Sequence, residues 1–112
     1  MKRLLVLFAV CSLLAACQSD PEMTLDPSSL EFDGMGGSQT LHITANHPWN
    51  SLADDEAITV SPDSGAAGSM DVTISLAGNT GGSARNFQVI FVCSSKDMAT
   101  TRILSVKQLP LL

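Results

Sequence analysis

The chain contains no tyrosine and one tryptophan, Trp49, and aromatic residues make up only 4% of its 112 residues. Protein–sugar recognition uses flat rings that carry a polar handle, and Tyr and Trp fill that role where Phe does not. With Phe32, Phe87 and Phe91 inside apolar runs, an aromatic sugar platform would have to be built on Trp49. Histidine is equally scarce: His42 and His47 are the two in the chain. No HxH, HExxH or Cys-rich spacing occurs, so no metal or cofactor motif is present and a catalytic triad has little to draw on. Basic residues are few as well, at six against eleven acidic ones. Binding to a phosphate backbone depends on Lys and Arg neutralisation, and nucleic acid is therefore not an expected partner.

A long apolar run is also missing. The N-terminus, MKRLLVLFAVCSLLAACQSD, sets Lys2 and Arg3 before an apolar stretch from Leu4 to Leu14. That stretch is too short to span a bilayer, which takes ~20 residues, but it has the charge, length and small-residue ending of an export signal. LAAC at 14–17 resembles the lipobox of bacterial lipoproteins. The resemblance implies cleavage after residue 16, acyl chains such as palmitate on Cys17, and attachment to a membrane through them. Each buried methylene contributes ~0.8 kcal/mol, so several chains anchor a soluble domain firmly. QSDPE, just after the cysteine, resembles the short acidic signal that sends lipoproteins of Bacteroidetes to the cell surface. The expectation is an outer-membrane lipoprotein exposed on the cell surface.

Without residues 1–16, Lys2 and Arg3 are gone, and four basic residues face eleven acidic ones, a net charge of about −7. Cys11 leaves with the signal and Cys17 takes lipid. Cys93 is then a lone thiol with no intramolecular disulfide partner, so the fold must stand on its core. At the end of FQVIFVC it reads as a small buried hydrophobe.

The rest of the chain follows a period of two. LHITA (41–45), MDVTISL (70–76) and LSVKQ (104–108) alternate apolar with polar residues, as half-buried strands do. FQVIFVC (87–93) is nearly continuous, as in a strand covered on both faces. Shorter strands are expected at 30–32, 49–52 and 57–60, with turn signals in DGMGG, SPDSGAAG, AGNTGGS and SSKD between them. About seven short strands at regular spacing, without a helix-period segment, predict an all-β, immunoglobulin-like antiparallel β-sandwich over residues 29–109. Residues 17–28, with Pro21 and Pro27, are expected to form a lipidated tether.

The same stretches, taken in order, resemble the BACON family (Bacteroidetes-associated carbohydrate-binding, often N-terminal) over residues of about 23–109. LDPSSLEFDGMGGSQTLHITAN resembles the family's opening, and HPW places Trp49 at its tryptophan position. ITVSPDSGAAGSMDVTISL resembles the V-S-P-x-S-G turn and the strand after it. AGNTGGSARNFQVIFV carries the Asn-rich loop and the long hydrophobic strand, and LSVKQ the closing strand with its Gln. The resemblance implies an immunoglobulin-like sandwich in a surface or periplasmic protein of a polysaccharide-degrading bacterium. Such domains usually precede a glycoside hydrolase, whereas this sequence stops just past the last strand, so a single-domain, non-catalytic lipoprotein is expected.

NHPWN (46–50) admits two roles for its Trp: a ring for a ligand, or an anchor for a small core. Packing is the preferred one, because the turn Asn46-His47-Pro48 delivers Trp49 to the start of a strand. If a ligand site exists, its candidate residues are Trp49 with the polar loop residues Asn46, His47, Asn50, Asn79 and Arg85. Arg85 is expected to pair with an acidic loop residue. His42, on the polar face of its strand, and the run Asp54-Asp55-Glu56 are read as solvated. Two functions stay open: a module that binds carbohydrate or mucin glycans, and a structural or assembly module whose partner is another outer-membrane protein.

Overall fold

The computed structural model describes residues 20–111, so the signal segment, Cys17 and its acylation lie outside the described residues. Nine strands follow one another: β1 (Met23–Asp26), β2 (Ser29–Phe32), β3 (Gly37–Ala45), β4 (Trp49–Ala53), β5 (Ile58–Ser61), β6 (Ser64–Gly65), β7 (Gly68–Leu76), β8 (Arg85–Ser94) and β9 (Ala99–Gln108). They form two sheets, ordered β1-β3-β7-β5 and β2-β9-β8-β4-β6. The protein is an all-β, immunoglobulin-like sandwich. Each of the seven expected strands is present, and β1 and the two-residue β6 are additional.

Alternation explains which sheet face meets which. Leu41, Ile43 and Ala45 of β3 and Val72, Ile74 and Leu76 of β7 turn inward from the four-stranded sheet. Phe87, Val89, Phe91 and Cys93 of β8 meet them from the other side, with Leu104 and Val106 of β9. Among the described residues, eighteen buried apolar ones form one continuous core, and successive residues of each strand take opposite faces. The free thiol of Cys93 is fully buried, as its place in FQVIFVC implies.

Two expectations need correction. The stretch 17–28 is not a free tether throughout, because MTLD alternates and pairs with β3 from Met23↔Ala45 to Asp26↔His42. Pro21 and Pro27 suggested a linker. Pro27 instead marks the point where the chain leaves one sheet for the other, since proline cannot donate to a ladder. The pairing is also not antiparallel throughout. After this switch β2 runs parallel to β9, with Leu30 opposite Val106.

Candidate functional site

The six candidate residues do not converge. Asn46, His47 and Trp49 lie at the end of the sandwich where β3 and β8 finish and β4 begins. Asn79 and Arg85 lie at the opposite end, where β8 begins. Nine residue steps along β8 separate the ends, or ~30 Å at the rise of a strand. They cannot line one small-ligand site.

Trp49 is buried, at 3% exposure, and its ring packs 5.8 Å from that of Phe91. Its direct partner across the ladder is Cys93. Gly65 of β6 closes over the indole edge so tightly that a Cβ there would lie 2.8 Å from Trp49 Nε1. That N–H has no hydrogen-bond partner. Burial therefore rules out Trp49 as a stacking surface in this conformation. Phe32, Phe87 and Phe91 are buried too, so no aromatic ring is exposed among the described residues.

The polar candidates hold loops. Asn46 Oδ1 accepts from Glu22 N–H at 2.7 Å and its Nδ2 donates to the Asp20 carbonyl at 2.8 Å. The His47 carbonyl faces the Cys93 thiol at 3.4 Å. Asn79 is 1% exposed. Its amide donates to the carbonyls of Ser83 and Leu109, while its Oδ1 accepts from Gly81 N–H. Arg85 does not pair with an acid. Its guanidinium donates to Gln108 Oε1 at 2.6 and 3.2 Å and to the Gly78 carbonyl, and lies 5.0 Å over the Phe87 ring. Buried polar atoms must be satisfied, and here the available acceptors are an inward-facing amide and a loop carbonyl rather than a carboxylate.

Gln108, absent from the sequence-based candidates, is the hub of that end. It is fully buried, and its Nε2 donates to the carbonyls of Asp33 and Ala77. The sequence did carry a signal, since Gln108 continues the inward series Leu104, Val106 along β9. An amide on an apolar face needs partners.

His42 Nδ1 and Asp71 Oδ1 lie 2.7 Å apart on the outer face of the four-stranded sheet, both well exposed. Among the described residues no group of three or more His, Cys, Asp or Glu could hold a metal ion.

Asn50, the remaining candidate, leads to a continuous surface. It faces outward from the five-stranded sheet beside Val92. One row further, Leu52 stands opposite Ile90, and Ile90 opposite Ile103. Leu52 is 70% and Ile103 48% exposed, and together they form an apolar row across three strands. Two polar rows follow, Gln88–Ser105–Ser29 and Asn86–Lys107–Glu31. They line a shallow groove of about 430 Å³ over β2, β9 and β8. The arrangement offers apolar contact beside hydrogen-bonding amides and one charge of each sign.

No protein-family model and no curated protein matches the chain. Among solved structures it is similar to part of a Bacteroides ovatus GH5 xyloglucanase in complex with a XXXG heptasaccharide. The match has 26% identity and a TM-score of 0.69 over 81% of this chain, and it spans 19% of the xyloglucanase. It is also similar to the periplasmic chaperone SfaE, with 13% identity and a TM-score of 0.65 over 81% of this chain and 59% of the chaperone. WR4, a C. elegans MSP family member, matches with 15% identity and a TM-score of 0.54 over 80% of this chain and 97% of its own. At the identities of these last two, the likeness concerns the fold alone.

Proposed function

We propose that this chain is a non-catalytic, lipid-anchored β-sandwich module of the BACON type, which works by docking a protein partner at the outer membrane. The observation that carries this is the outer face of the five-stranded sheet. Exposed Leu52 and Ile103 flank the half-buried Ile90 in an apolar row there, with polar rows beside it. Contiguous exposed apolar surface edged with polar groups is characteristic of protein contact sites. Replacing Leu52 and Ile103 together by Asp leaves the inward face untouched. The doubly substituted protein is expected to keep its melting temperature but lose partners that cross-link to the wild type on intact cells. An unchanged cross-linking pattern would reject this face as the docking surface.

Glycan binding is the second reading. It is favoured by the similarity to one part of a xyloglucanase and by the groove of Glu31, Asn86, Gln88 and Lys107. With every Phe and Trp ring among the described residues buried, recognition would rest on hydrogen bonds without ring stacking. A glycan array probed with residues 18–112 separates the two readings. Binding that disappears in Gln88→Ala/Lys107→Ala would favour the glycan module, and silence at every dose favours protein docking. For the anchor, Cys17→Ser is expected to abolish acyl labelling and release the protein from membranes, and persistent labelling would refute it.

A further inference from the structure

We infer that Asn46 is a clasp that stands the sandwich end-on to the membrane, with the Asn79–Arg85 end directed away from it. This rests on the proposed lipid anchor at Cys17. Asn46 grips the incoming chain with both side-chain atoms, Oδ1 on Glu22 N–H and Nδ2 on the Asp20 carbonyl, and its own N–H donates to the Glu22 carbonyl at 3.1 Å. The Cys93 thiol lies 3.7 Å from the same Glu22 carbonyl. Pro21 between the gripped residues is buried, and Met23 just beyond them is held by β3 and by Arg102, whose Nε donates to its carbonyl at 3.1 Å. The chain is thus fixed to the body of the domain from Asp20 onward.

Three residue steps separate Cys17 from Asp20, a reach of at most ~11 Å. A free chain up to Met23 would reach about twice as far, ~21 Å, which is most of the ~30 Å length of the sandwich and long enough to let it lie on its side. The clasp removes that slack. It also decides the direction, because Asn46 sits where β3 and β8 end and β1 and β9 begin. The turn between β8 and β9, with Lys96 and the half-exposed Met98, is at this end and therefore meets the lipid surface. The Asp54–Glu56 run and the turn around Gly82 lie at the far end.

Energy transfer in vesicles of phosphatidylethanolamine and phosphatidylglycerol tests the orientation. The full acylated chain would carry a dye at Lys96→Cys or at Gly82→Cys, with acceptors on the lipid headgroups. Gly82 has open space around it and Cys93 is fully buried, so labelling is confined to the introduced thiol. Transfer is expected to be several-fold stronger from position 96 than from 82. Asn46→Ala should shrink that ratio, and eight Gly-Ser residues inserted after Ser19, with the clasp intact, should bring it close to one. Equal transfer from the two positions in the uninterrupted, membrane-bound protein would overturn the inference while leaving the anchor intact. So would a ratio unmoved by the insertion, which also decides the matter if Asn46→Ala does not fold. Loss of the anchor reading is seen separately, as failure of the acylated chain to bind vesicles at all.

Discussion

Replacing Gln108 by Met is the sharpest test of how the loops at the Arg85 end are held. Met matches Gln in length and volume, so the exchange keeps the packing and removes the amide. Four hydrogen bonds go with it: two from the Arg85 guanidinium, at 2.6 and 3.2 Å, and two to the carbonyls of Asp33 and Ala77, at 3.3 and 2.9 Å. A hydrogen bond to a charged group contributes ~1.5–3 kcal/mol, and each buried group left without a partner costs ~1–3 kcal/mol. Water reaching the partly exposed guanidinium offsets part of this. A net loss of ~3–4 kcal/mol is expected, a large share of the ~5–15 kcal/mol that holds a domain folded. For a domain of this size it lowers the melting temperature by roughly 12–30 °C. Urea unfolding followed by Trp49 emission reads the change in a two-state transition. Arg85→Met removes one side of the same contact and keeps the packing on Phe87. The double variant should then lose clearly less than the two single losses combined, because the Arg85–Gln108 term is shared. Additive losses, or a Gln108→Met loss below about 1 kcal/mol, would refute the network as described.

Three further outcomes follow from the core. Trp49→Ala should cost ~3–5 kcal/mol as a buried aromatic truncation, and the native protein should show a blue-shifted emission poorly quenched by acrylamide; red, easily quenched emission would contradict the burial. Gly65→Ala places a methyl 2.8 Å from Trp49 Nε1, and should destabilise by ~1–3 kcal/mol as overpacking, whereas Gly82→Ala, in open space, should be near neutral; equal effects would contradict the packing of β6 on the indole. Cys93 should react with a thiol reagent only at the rate of global unfolding, since it is fully buried beside Trp49, and rapid labelling under native conditions would mean that this end of β8 opens locally.

The strands were legible because their pattern is local. LHITA and MDVTISL state their inward faces in consecutive residues, and β3 and β7 follow them. FQVIFVC reads as covered on both faces, whereas only the Phe87, Val89, Phe91 and Cys93 side of β8 is buried and Ile90 and Val92 on the other side are half-buried. The start of β9 was missed because ATTR carries no alternation, and β6 because two residues cannot show any. β1 was missed for a different reason. MTLD does alternate, but the prolines on either side suggested a linker, and its partner β3 lies across a turn and another strand. The polar candidates were harder still. Asn46 reaches back 24 residues to Glu22 and Asn79 forward 30 to Leu109. A side chain that satisfies a distant loop carries the same letters as one that meets a ligand, and sequence spacing does not separate them.

That ambiguity bears on where function can reside. Asn46 and Asn79 read as candidate ligand-facing groups and Arg85 as the partner of an acidic loop residue, yet their donors and acceptors are spent on the incoming chain, on the 77–84 loop and on the inward amide of β9. A ligand competing for them would have to replace bonds that hold the ends of the sandwich together, losing in stability what it gained in affinity. The faces carry no such obligation. On the inner strands the ladder satisfies the backbone on both sides, so the outward side chains there are not needed for it. On the four-stranded sheet the outward residues are mostly Ser and Thr, and several already bridge strands, as Ser38 does to Ser75. On the five-stranded sheet Leu52, Ile90 and Ile103 leave apolar surface in water beside Gln88 and Lys107, and that exposure is relieved only when something covers it. Because the core has claimed every Phe and Trp ring among the described residues, the proposed docking of an apolar protein surface matches this face better than a sugar would, for which the stacking partner is missing.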